Sequence, residues 1–178
     1  SILPPAPDGT PATEDFLPGT LHDCAVANIV WSSVYAYDSS KVRNWNAPKT
    51  MADFFNTKAY PGKRGMRKSP KVTMEFALIA DGVPTSEVYE VLGTEEGIAR
   101  AFAKLDTIKE DVVWWEAGAQ PPQMLADGEV ALTTAYNGRI FGAQNEEKKP
   151  FVIVWDGQIW DIDLWVIPKG APNKTDAL

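Results

Sequence analysis

Hydrophobic and polar positions along the chain change their period several times, and each change marks an element. Residues 25–37, AVANIVWSSVYAY, are dense in β-branched and aromatic side chains and predict a long strand, which Asp38, Ser39 and Ser40 end in a polar turn. Thr50 is placed as N-cap of a short helix, MADFFNT, with Met51, Phe54 and Phe55 on one side. The turn AYPGKRG leads through Met66 to a well-punctuated helix, with Ser69 as N-cap, Pro70 at the first helical position and Gly82 beyond its end. Thr94 caps a third helix, whose apolar positions Ile98, Phe102, Leu105 and Ile108 recur at three and four. Strands are then predicted over 112–116, 129–136, 151–155 and 159–168, with short helices over 121–127 and 137–144 between them. Strands alternating with helices predict an α/β fold with helices on both faces of the sheet.

The ends differ in character. Residues 1–20 hold Pro4, Pro5, Pro7, Gly9, Pro11 and Pro18 among small polar side chains, a loop or linker composition unsuited to a packed element. The last residues, from Pro172 on, read as the start of a helix with Asn173 or Thr175 as N-cap. At 178 residues the chain is long enough for one sizeable core, and no apolar run approaches the ~20 residues that cross a bilayer.

Charge narrows the partners. Seventeen Lys and Arg against 24 Asp and Glu give −7, which argues against a nucleic-acid surface and favours a cationic or neutral partner. Cys24 is the only cysteine and His22 the only histidine, so neither a disulfide framework nor a zinc site is expected. No phosphate-loop, GxSxG or HExxH pattern occurs, and no cofactor is implied.

Ligands of open α/β sheets bind beyond the carboxyl ends of strands, which directs attention to three junctions: Glu116 after VVWW, Tyr136-Asn137-Gly138-Arg139 after ALTTA, and the run Trp160 to Trp165. In the last, alternation sets Trp160, Ile162 and Leu164 on one face and Asp161, Asp163 and Trp165 on the other. That carboxylate strip fits an exposed edge strand or local ion pair as well as a cationic ligand. Trp114, Trp115 and Tyr136 fit either a cation–π pocket or plain core. The basic cluster Lys63, Arg64, Arg67, Lys68 and Lys71 reads as a solvated positive face, with an anion or partner contact as the alternative. A carboxylate-dependent hydrolase using Glu116 and Asp163 is compatible with composition alone.

Three stretches in combination carry a family resemblance: TMADFFNTKAYPGKRG, FAKLDTIKEDVVWWEAGAQPPQMLADGEVALTTAYNGRIF and VIVWDGQIWDIDLWVIPKGAPNK. From about residue 29 to 178 the chain resembles the second lobe of periplasmic spermidine/putrescine-type solute-binding proteins of bacterial ABC importers. The resemblance implies one α/β lobe of a two-lobe clamshell with a mixed sheet, part of a protein nearly twice this length. Residues 1–22 are then a leader or linker from the first lobe, 23–170 the ligand-binding lobe with hinge-crossing strands, and 171–178 the start of a C-terminal helix. It implies a periplasmic protein that catalyses nothing, captures a polyamine-like cation between lobes and delivers it to a membrane permease. Carried over by residue, Asp163 matches the carboxylate for a ligand amine, Tyr136 matches an aromatic stacking on the polyamine, and Asp161 falls where the family often has an aromatic, with Trp160 one place before it. Ser69 and Val72 stand where spermidine binders have an acidic pair, so Glu116 supplies the missing charge or the ligand is a smaller or differently charged amine.

Overall fold

The computed structural model describes residues 3–42 and 46–176, and the chain divides into a larger unit, Ser32–Ile159, and a smaller one of Ser1–Trp31 with Trp160–Leu178. Five strands form one mixed sheet in the order β3-β2-β4-β1-β5: β1 (Val26–Asp38), β2 (Arg64–Arg67), β3 (Val112–Trp115), β4 (Leu132–Tyr136) and β5 (Phe151–Trp165). Strand β2 runs parallel to both β3 and β4, with Arg67 opposite Trp115 and Gly65 opposite Thr133, whereas β1 is antiparallel to β4, with Ser33 opposite Tyr136.

Alternation along the strands builds two apolar layers in the larger unit. Tyr35, Met66 and Leu132 pack on one side with Phe54 of α2 (Met51–Phe55), Phe76 of α3 (Pro70–Ala80) and Ala101 of α5 (Glu95–Asp106). Ala36, Trp115 and Ala135 pack on the other with Met124 and Leu125 of α6 (Gln120–Asp127) and Ile140 of α7 (Asn137–Asn145). The α/β architecture with helices on both faces is therefore present. No helix among the described residues is long and apolar enough to cross a membrane.

Caps were legible. Thr50 accepts from the Asp53 N–H in a full capping box, and Thr94 accepts from the Gly97 N–H. Other elements depart from expectation. The segment read as a turn into Met66 contains β2, and Arg64, placed in a solvated cluster, is fully buried and donates to the carbonyls of Phe54, Tyr60 and Gly62. An additional short helix, α4 (Val88–Leu92), precedes α5. On α5, Gly97 and Ala101 turn inward and Ile108 just beyond its end is buried, while Ile98 and Phe102 are 40% and 57% exposed; at residue 97, α4 lies too close for a side chain. The two strands read over 151–155 and 159–168 are one, β5. The Pro-rich start holds one helical turn, α1 (Ala12–Asp15), with Ala12 buried, and residues 172–176 form turns where a helix was read; residues 177 and 178 lie outside the described residues.

Candidate functional site

Because β2, β3 and β4 are mutually parallel, their carboxyl ends share one edge of the larger unit, and α3, α6 and α7 start there. This edge gathers Arg67, Lys68, Ser69, Glu116, Tyr136, Asn137 and Arg139. Three helix N-termini add partial positive charge to a locally basic surface on a chain whose net charge is −7.

Arg67 ends β2 half-buried, with its guanidinium carbon 5.6 Å from the centroid of the Tyr136 ring. Among the described residues its guanidinium has no hydrogen-bond or ion-pair partner. Trp115 packs edge-on against Tyr136, centroids 5.7 Å apart at 83°, and its buried Nε1 likewise has no hydrogen-bond partner among the described residues. Gln120 closes the turn after β3 by accepting from the N–H groups of Glu116 and Ala117 at 2.8 and 2.7 Å. Asn137 ties α7 to β1 by accepting from the Ser32 N–H at 2.9 Å.

The start of α3 is not regular. Lys71 (φ −58°, ψ 128°) and Val72 (φ 75°, ψ −41°) form a kink, so the helix proper begins at Thr73, whose hydroxyl donates to the Arg67 carbonyl at 3.0 Å. A β-branched residue at positive φ stores about 1–3 kcal/mol of strain, which burial of the Val72 side chain in the core offsets. Ser69, read as a cap, makes no capping bond with its side chain.

The six predicted residues fall into two groups. Ser69, Glu116 and Tyr136 share the strand-end edge of the larger unit, and Glu116 is exposed and paired with Lys68 at 3.3 Å. Trp160, Asp161 and Asp163 lie on the stretch of β5 in the smaller unit. There Trp160 is exposed, Asp163 accepts from the Trp31 indole N–H at 2.9 Å, and Asp161 accepts from the Ile162 N–H at 2.8 Å. A hollow of about 740 Å³ in the smaller unit, with His22, Cys24, Trp165 and Lys169 on its walls, contains none of the six. No metal-binding cluster of His, Cys, Asp and Glu occurs among the described residues. Arg67 was read from sequence only as one member of a solvated basic cluster with an anion contact as the alternative, and the signal that sets it apart was Met66, an apolar position inside the charged run that marks β2 as a buried strand.

The sequence profile of the family described as bacterial extracellular solute-binding protein matches residues 3–178. The chain belongs to that family. Among relatives of this solute-binding protein is the gamma-aminobutyric acid-binding protein of Pseudomonas aeruginosa, 54% identical over 172 residues, which are 97% of this chain and 47% of that one. The crystal structure of the PBP MotA from A. tumefaciens B6 in complex with glucopine is 40% identical, with a TM-score of 0.82, and is matched over 92% of this chain and 50% of its own. The Atu4243-GABA receptor structure is 36% identical, with a TM-score of 0.75, over 88% of this chain and 47% of its own. The chain thus spans about half the length of the relatives it matches. These findings agree with the lobe architecture, the extracellular (periplasmic) placement and a non-enzymatic family; the hydrolase alternative finds no support. The narrower likeness to spermidine and putrescine binders is not what these relatives carry.

Proposed function

We propose that the protein containing this chain is the substrate-binding component of an ABC importer. In this reading it captures a small zwitterionic amino acid of the 4-aminobutyrate (GABA) type and hands it to a membrane permease. The observation that carries the ligand class is Arg67, a half-buried guanidinium whose five N–H donors find no acceptor among the described residues. A carboxylate satisfies such a fork with two parallel charge-assisted bonds, and the helix N-termini at the same edge favour the same sign of charge. Putrescine has an ammonium at that end of the chain and would set like charge against Arg67. The GABA-related names of two relatives support the same choice.

The opposite end of the ligand requires an acceptor of positive charge. The family resemblance gives Asp163, with Asp161 and Trp160 beside it in sequence, a part in contacting a ligand amine; at the strand-end edge the carboxylate Glu116 is already paired with Lys68. Binding favours the liganded conformation by the difference in contacts between states, which is the signal a permease reads.

Calorimetry on the intact protein tests the assignment. Arg67→Met is expected to weaken 4-aminobutyrate by roughly 10- to 150-fold, the loss of about 1.5–3 kcal/mol for hydrogen bonds to a charged group. Unchanged affinity in that variant would remove Arg67, and the carboxylate end with it, from the reading.

A further inference from the structure

Arg67 raises a question of geometry: what holds a long side chain in place when no acceptor among the described residues fixes it. Its contact is the Tyr136 ring, 5.6 Å from the guanidinium carbon to the centroid. That ring is itself fixed from other sides. Trp115 meets it edge-to-face at 5.7 Å, and the chain at Gly118 passes so close that a Cβ there would lie 2.9 Å from Cδ2 and Cε2 of Tyr136. Gly118 does not have the positive φ that favours glycine, so what the position requires is room for the ring. The open side of that gap is bounded by Arg139, with Nε 3.9 Å from the same Cβ position. Ring and guanidinium come from β4 and β2, so rigid elements set their spacing.

We infer that Tyr136 acts on the ligand through Arg67, as the residue that orients the guanidinium, and that Gly118 is the gap that keeps the ring in position to do so. The inference rests on the carboxylate reading of Arg67 and deepens it. It replaces the stacking role expected from the family resemblance with a positioning role. A cation–π contact of this kind contributes about 0.5–2 kcal/mol, most where water is excluded, so it is strong enough to select one rotamer of Arg67.

The two roles separate by ligand charge. In the intact protein, affinities are measured for 4-aminobutyrate and for 4-aminobutanamide, which keeps the ammonium and the chain but lacks the carboxylate. Tyr136→Leu is expected to weaken the acid by roughly 2- to 30-fold and the amide little, so the acid-to-amide preference falls. Tyr136→Phe, which keeps the ring, restores that preference. Gly118→Ala lowers it as Tyr136→Leu does, and adds nothing in a Tyr136→Leu background. In an Arg67→Met background, Tyr136→Leu has no further effect on the acid. An unchanged preference in both Tyr136→Leu and Gly118→Ala overturns the inference, whether the two affinities fall together or do not fall. So does a full Tyr136→Leu loss in the Arg67→Met background, which would mean direct contact between ring and ligand. Failure of the underlying reading looks different: the unmutated protein itself would bind acid and amide equally.

Discussion

Arg64 and Arg67 stand at the two ends of one four-residue strand, and parity separates them. Three residues apart in a strand, they face opposite sides of the sheet. Arg64 shares the face of Met66, is fully buried, and donates from Nε to Phe54, from Nη1 to Gly62 and from Nη2 to Tyr60 at 2.6, 2.5 and 2.6 Å. Burial lowers its pKa, yet a guanidinium stays charged in this pH range, so it serves as a permanent clamp on the loop before β2. Arg67 faces the Trp115 and Tyr136 side and makes no such bonds. The same substitution should therefore have opposite consequences at the two positions. Arg64→Met is expected to destabilise the fold by at least about 3 kcal/mol in urea unfolding, because three carbonyls lose their donor. Arg67→Met should cost no more than about 0.5–2 kcal/mol, the contribution of its cation–π contact with Tyr136. Equal stability losses would mean that Arg67 is a structural residue and not a ligand contact.

At the scale of elements, packing distance decides what periodicity alone does not. The three- and four-residue spacing of Ile98, Phe102 and Leu105 correctly marked a helix, but its buried face is offset toward Gly97 and Ala101. The reason is α4: a Cβ on residue 97 would lie 1.8 Å from the Val91 carbonyl oxygen. Gly97→Ala is expected to lower the melting temperature by several degrees in calorimetry, although alanine is the better helix former by about 1 kcal/mol. A rise in melting temperature would show that the α4–α5 contact yields easily. Legibility followed the same line. Side-chain caps at Thr50 and Thr94 were readable because capping is local chemistry, and Glu116 and Tyr136 were readable as strand-end residues from the order of elements, whereas Ser69 entered only as a helix cap and through the family resemblance. Strand β2 was hidden because arginines close both of its ends, and Arg67 was hidden because its partner, Tyr136, is distant in sequence and joined to it only through β2–β4 pairing. The kink at Val72 has no sequence signal, since positive φ there is imposed by tertiary burial.

For the whole molecule, net charge and local charge point in different directions. The −7 of the chain suggested a cationic or neutral partner, while the strand-end edge of the larger unit is basic, and the local arrangement is what a small ligand meets. A ligand carrying both signs reconciles the two, with its carboxylate directed to the basic edge at Arg67. This separates the amino-acid reading from the polyamine reading by a single functional group, because putrescine has a terminal aminomethyl group where 4-aminobutyrate has its carboxylate. Titration calorimetry of the intact protein with 4-aminobutyrate and with putrescine therefore tests the account most directly. The account predicts saturable 4-aminobutyrate binding with putrescine weaker by at least roughly 100-fold, a difference of about 2.7 kcal/mol. Putrescine binding as tightly as 4-aminobutyrate, or more tightly, would contradict it.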